Sequence, residues 1–73
     1  MITRDYHAFR LHEALCDAED VVGSVRAARK SESAEFIVGH GIIRNELIKL
    51  LETYNLSPTI QLRNSGVVVC EIE

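Results

Sequence analysis

Glu35-Phe36-Ile37-Val38-Gly39-His40-Gly41-Ile42-Ile43-Arg44-Asn45-Glu46-Leu47 is the stretch on which the fold turns. Phe36, Ile37 and Val38 form a short β-prone apolar run, whereas Ile43, Leu47, Leu50, Leu51 and Tyr54 fall at spacings of four, three, one and three, the stripe of an amphipathic helix. A strand therefore passes into a helix through Gly39-His40-Gly41. A corner of this kind leaves the first amide N–H groups of the helix without intrahelical acceptors, at the positive end of the helix dipole. Glycines on both sides of His40 permit left-handed backbone angles and let a ligand approach the chain closely. The amides of Gly41 to Ile43 are thus candidate phosphate donors, although a Gly-x-Gly pair also serves simply to make a turn.

Upstream, Ile2, Arg4 and Tyr6 alternate with Thr3, Asp5 and His7, which predicts a strand over Ile2 to His7 with one polar face and with Asp5 and His7 on the same side. Leu11, Ala14, Leu15, Ala18, Val22 and Val25 recur every three or four positions, so a helix is expected from Arg10 to Lys30, weakened but not ended by Gly23. Arg26, Arg29 and Lys30 at its end complement the dipole. Ser31-Glu32-Ser33 reads as a polar connection to the strand at Phe36, and such a crossover makes the two strands parallel and right-handed. Downstream, Asn55-Leu56-Ser57-Pro58 carries turn chemistry, since Pro58 cannot continue a helix. Thr59 to Arg63 reads as a strand, Asn64-Ser65-Gly66 as a tight hairpin loop and Val67 to Ile72 as the last, antiparallel strand. The order is βαβαββ. It predicts an α+β two-layer sandwich, a four-stranded mixed sheet with both helices on one face and the other face open.

A chain of 73 residues makes one domain, 1–73, with a single small core. Its hydrophobic share of 47% and charged share of 26% are those of an ordinary globular chain, and no apolar run approaches the roughly 20 residues of a membrane helix. Met1-Ile2-Thr3-Arg4-Asp5 leads into polar residues and not into a signal-peptide apolar stretch, so the cytoplasm is the expected compartment. The net charge of −3 argues against coating nucleic acid through bulk electrostatics and leaves room for a local basic patch. Cys16 falls in a helix pattern and Cys70 in a strand pattern, and both read as reduced, partly buried thiols.

Asp5-Tyr6-His7, Glu13-Ala14-Leu15, Gly39-His40-Gly41 and Gly66-Val67-Val68-Val69 together resemble the Smr (small MutS-related) domain over nearly the whole chain. That family carries an Asp-Leu-His-Gly motif on its first strand, a Glu-Ala pair early in its first helix and a glycine-rich turn after its second strand. The resemblance implies a fold similar to the C-terminal domain of translation initiation factor 3, and endonucleolytic cleavage or nicking of RNA or structured DNA. Ala8 stands where the family has glycine, and Tyr6 replaces the usual leucine. Ile42 and Ile43 follow Gly41 directly where many members lengthen the loop.

On that footing Asp5 and His7 are the expected catalytic pair. The carboxylate orients an imidazole able to titrate near neutral pH, and the two are expected to face His40 where the carboxyl ends of parallel strands gather. An isolated Asp-x-His otherwise reads as two hydrogen-bonded residues at a strand end. Gly39, His40, Gly41, Ile42 and Arg44 are the expected phosphate-binding set, Arg44 neutralising charge as it develops. With Asp5 the only carboxylate in the set, no all-protein metal cage is expected, and Mg²⁺ held mainly by water and phosphate stays open. His12 reads as a surface residue and Tyr54 as core. Two alternatives stand beside the nuclease: a nucleic-acid-binding module without turnover, and an interaction module that pairs with a partner or a second copy through its open sheet face or edge strand.

Overall fold

The computed structural model describes residues 1–73. The elements run β1 (Ile2–Asp5), α1 (Leu11–Ala27), β2 (Glu32–Ile37), α2 (Ile42–Thr53), β3 (Thr59–Gln61) and β4 (Asn64–Ile72). They form one four-stranded sheet in the order β1-β2-β4-β3, with β1 parallel to β2 and β4 antiparallel to both its neighbours. β1, β2 and β3 therefore all point the same way. Their carboxyl ends, together with the start of β4, lie along one end of the sheet.

Register fixes which side chains share a face. Arg4 stands level with Phe36, Phe36 with Val68 and Val68 with Ile60, while Asp5 stands level with Ile37 and Ile37 with Val67. The first row belongs to the core: Ala34, Phe36 and Val38 of the second strand region and Val68, Cys70 and Ile72 of β4 join Ala14, Ala18, Val22 and Val25 of α1 and Leu47 and Leu51 of α2 in a single buried cluster. Every residue that β2 and β4 give to this cluster comes from one alternation, so both helices cover the same face; Val67, level with Ile37 on the other alternation, is buried outside the cluster. Full burial of a Leu, Ile or Phe side chain is worth about 1.5–3 kcal/mol, and Phe36, Leu47, Leu51 and Ile72 are all completely enclosed. The opposite face, with Thr3, Asp5, Ser33, Glu35, Ile37, Val69 and Glu71, has no covering layer.

Several boundaries depart from the sequence expectation, each for a local reason. The first strand stops at Asp5, because Tyr6 and His7 already belong to a turn in which the Phe9 amide donates to the Tyr6 carbonyl at 2.9 Å. α1 ends at Ala27 and not at Lys30: Arg29 takes a left-handed φ of 56° and the Lys30 amide reaches back to the Val25 carbonyl, a closing motif formed without glycine. Glu32 and Ser33, expected in a connection, pair with Ile72 and Glu71 inside the sheet. α2 closes through Asn55 at φ 63°, with the amide of buried Leu56 on the Leu51 carbonyl. The hairpin turns at Leu62-Arg63 and not at Asn64-Ser65-Gly66, which opens β4. Cys16 is exposed whereas Cys70 is buried. Tyr54 is a rim residue whose ring lies under the Arg26 guanidinium at 5.6 Å. No helix is long and apolar enough to cross a membrane.

Candidate functional site

At the carboxyl end of β1 the Asp5 carboxylate folds over the following residues. Its Oδ1 accepts the His7 backbone N–H at 3.1 Å and faces His7 Nδ1 at 2.5 Å, an Asx-type turn whose two side chains are about half exposed or more. The His7 ring bond, and then the backbone bond, hold the Asp5 carboxyl below its usual range. An ionised carboxylate only accepts, so Nδ1 carries the proton that points at Asp5, and Nε2 makes no hydrogen bond within the protein. Beside this turn, the Tyr6 amide donates to the Ile37 carbonyl at 2.7 Å and keeps the chain on β2. The buried Tyr6 hydroxyl donates to Asp17 of α1 at 2.5 Å, and Arg4 lies 3.3 Å from the same carboxylate. The Arg10 amide, at the start of α1, donates to Glu13 Oε1 at 2.8 Å.

One strand over, the chain leaves β2 through the glycine turn. The Val38 and Gly39 amides both donate to the Gly66 carbonyl, at 2.8 and 3.0 Å, and Gly39 has φ +70°. Gly66 is enclosed where β4 leans on this turn: a Cβ there would stand 3.3 Å from the Gly39 Cα. The residue before it, Ser65, holds two groups of the expected set. His40 Nε2 lies 2.7 Å from Ser65 Oγ, and Arg44 Nη1 donates to the Ser65 carbonyl at 3.0 Å. Arg44 Nε is shut off from solvent with no acceptor. Gly41, the residue that caps α2, supplies no side-chain acceptor, and the Gly41, Ile42 and Ile43 amides have no acceptor in the protein.

The expected residues thus gather as two clusters at one end of the sheet. Asp5 and His7 are joined to each other. His40 and Arg44 are joined through Ser65, and the Gly41 to Ile43 amides are open beside them. No hydrogen bond links the two clusters, because the His40 ring engages Ser65. The Gly39 amide is consumed by Gly66, so that residue shapes the turn and does not donate from it. Ser65 was hidden to sequence reasoning, and Gly66 entered it only as a loop residue and as the start of the Smr-like Gly66-Val67-Val68-Val69, since Asn-Ser-Gly carries the composition of a hairpin loop.

Charge is distributed unevenly over the chain. Residues 5–13, 38–45 and 61–66, which form this end, contain all three histidines of the protein and the arginines Arg10, Arg44 and Arg63, against the two carboxylates of Asp5 and Glu13. The net charge of the chain is −3, so the acidic excess lies elsewhere. Toward the other end, a shallow hollow of about 340 Å³ on the uncovered face is lined by residues that include Ser33, Thr59, Val69, Cys70 and Glu71. Burial, aided by Glu71, pushes the Cys70 thiol up, which makes it a poor nucleophile. No three His, Cys, Asp or Glu side chains converge as a metal-ligand group. Neither a family model nor a curated protein nor a solved structure matches the chain.

Proposed function

We propose that this protein binds nucleic acid by its phosphates at the carboxyl end of the sheet and cleaves phosphodiester bonds there, as an endonuclease of the Smr type acting on RNA or DNA. One observation carries this reading: the Asp5–His7 pair, whose Nε2 has no partner within the protein, stands at the same end of the sheet as the open α2 amides flanked by His40 and Arg44. The Gly41 to Ile43 amides and the Arg44 guanidinium bind the non-bridging oxygens and offset the charge that grows on them. His7 Nε2 takes a proton from the attacking hydroxyl or returns one to the leaving oxygen, while Asp5 fixes the ring and stabilises its protonated form. The likeness of Asp5-Tyr6-His7 and Gly39-His40-Gly41 to the Smr motifs supports the same assignment.

The second reading, binding without turnover, is favoured by one feature. His40 is engaged by Ser65 and is not joined to the Asp5–His7 pair, so a second proton-transfer group is not assembled beside the first. Labelled single- and double-stranded RNA and DNA, incubated with and without Mg²⁺, separate the two. The nuclease reading expects cutting that falls by about 10²–10⁴-fold in His7→Ala and Asp5→Ala, with unchanged circular dichroism. Undiminished cutting by both variants removes the pair from catalysis. Salt-sensitive binding without any cutting leaves the binding module, and no binding at all ends both readings.

A further inference from the structure

We propose that the carboxyl end of the sheet receives unpaired bases between its phosphate contacts, so that the strand it accepts is single-stranded; this rests on the phosphate-binding reading above. Three of the five exposed large apolar side chains of the protein lie at this end: Phe9 is 42%, Ile42 62% and Leu62 fully exposed. They come from three separate connections. Phe9 follows β1, Ile42 opens the helix after β2, and Leu62 sits in the turn between β3 and β4. Given the strand order β1-β2-β4-β3, they are strung across the width of the sheet, three interstrand spacings or about 15 Å.

The core does not account for these side chains. A two-residue hairpin turn calls for glycine, asparagine or aspartate, and a wholly exposed leucine there stabilises nothing within the chain. Phe9 is exposed but held: its ring lies 5.2 Å from that of Tyr6, which stacks on Phe36 at 5.7 Å, giving a flat group backed by the core. Each apolar residue is also followed closely by a cation, in Phe9-Arg10, Ile42-Ile43-Arg44 and Leu62-Arg63. Such an alternation matches a strand that offers bases and phosphates in turn. A duplex offers only its phosphates to such a rim, because its base faces are stacked on one another. A lipid-binding segment gathers its apolar groups on one face of one helix, whereas these stand on two loops and the first turn of α2, with arginines and histidines between them.

Fluorescence anisotropy with the whole chain tests this on four probes: a single-stranded oligonucleotide of about ten residues with bases, an abasic strand of the same length, a duplex, and phosphatidylglycerol vesicles. Wild-type protein is expected to bind the base-bearing strand about tenfold more tightly than the abasic one. Leu62→Ser, at a position that packs against nothing, is expected to lose about fivefold on the base-bearing strand and nothing on the abasic strand or the duplex. Phe9→Leu keeps an apolar contact with Tyr6 but removes the flat ring, and is expected to weaken the base-bearing strand alone. Equal wild-type affinity for base-bearing and abasic strands overturns the base contacts while leaving phosphate binding intact. Failure of every strand to bind ends the underlying phosphate reading. Vesicle binding that Leu62→Ser abolishes, with no preference for bases, reassigns the rim to lipid.

Discussion

Exchanging glycine for alanine at position 66 and at position 23 introduces the same methyl group with opposite expected signs. At Gly66 the new carbon stands 3.3 Å from the Gly39 Cα, 3.3 Å from Asn64 Oδ1 and 3.4 Å from His40 Cε1. Carbon atoms settle at about 3.5–4.0 Å, so the turn and the start of β4 have to separate by a few tenths of an ångström. They are not free to do so, because the Gly66 carbonyl holds the Val38 and Gly39 amides at 2.8 and 3.0 Å. Overpacking costs about 1–3 kcal/mol, and restricting the unfolded chain returns about 0.4–1 kcal/mol. The expected net loss is about 0.5–2 kcal/mol, a fall in Tm of several degrees for a domain of this size. At Gly23, in the exposed part of α1, nothing lies within 4 Å of the added carbon. There the gain of about 0.5–1 kcal/mol for alanine over glycine in a helix stands unopposed.

Thermal unfolding of the two variants next to wild type reads both signs, and the ring resonances of His40 report whether the turn has moved. Gly66→Ala is expected to melt lower and to shift those resonances, whereas Gly23→Ala melts higher and leaves them in place. If Gly66→Ala matched wild type in Tm with His40 unmoved, β4 would not be leaning on the glycine turn, and the clustering of His40, Arg44 and Ser65 would lose its support.

Other expectations concern the neighbours of the two clusters. Burial and the bond to Asp17 raise the Tyr6 phenol above its ordinary value of 10.0. The group therefore contributes its full stability below pH 10.0 and loses it as the pH climbs beyond, where the unfolded chain ionises first. Urea midpoints are expected to drop above that pH in wild type and to stay flatter in Tyr6→Phe, which is less stable at neutral pH by about 1–2 kcal/mol; parallel curves would refute the assignment. Ser65→Ala removes the hydroxyl at His40 Nε2 but keeps the carbonyl that binds Arg44. Nitrogen-resolved spectra should show a changed His40 ring with less than about 0.5 kcal/mol of lost stability, and Ser65→Thr should restore the ring signal.

The order of elements was legible in the sequence because each element carries its own period. Phe36 and Val38 point inward on either side of Ile37, and Leu47 and Leu51 stand one helical turn apart, so local chemistry and global packing agree. The failures occur where distant parts of the chain set the conformation. Nothing near Arg29 announces a left-handed residue; α1 stops there as the chain swings toward β2. Asn64-Ser65-Gly66 has turn composition, yet Gly66 is needed for close approach to Gly39, a contact across 27 residues that no local pattern records. The same division runs through the candidate site. The Asp5–His7 bond joins residues two apart and follows from Asx-turn chemistry at the end of β1, not from the strand alternation that put the two on one side. The His40–Ser65 and Arg44–Ser65 contacts span 25 and 21 residues and depend on β4 entering the sheet beside β2. Half of the proposed machinery is thus local and half is delivered by sheet order. A change that alters how β4 joins β2, such as Gly66→Ala, is therefore expected to disturb His40 and Arg44 while sparing the pairing of Asp5 with His7.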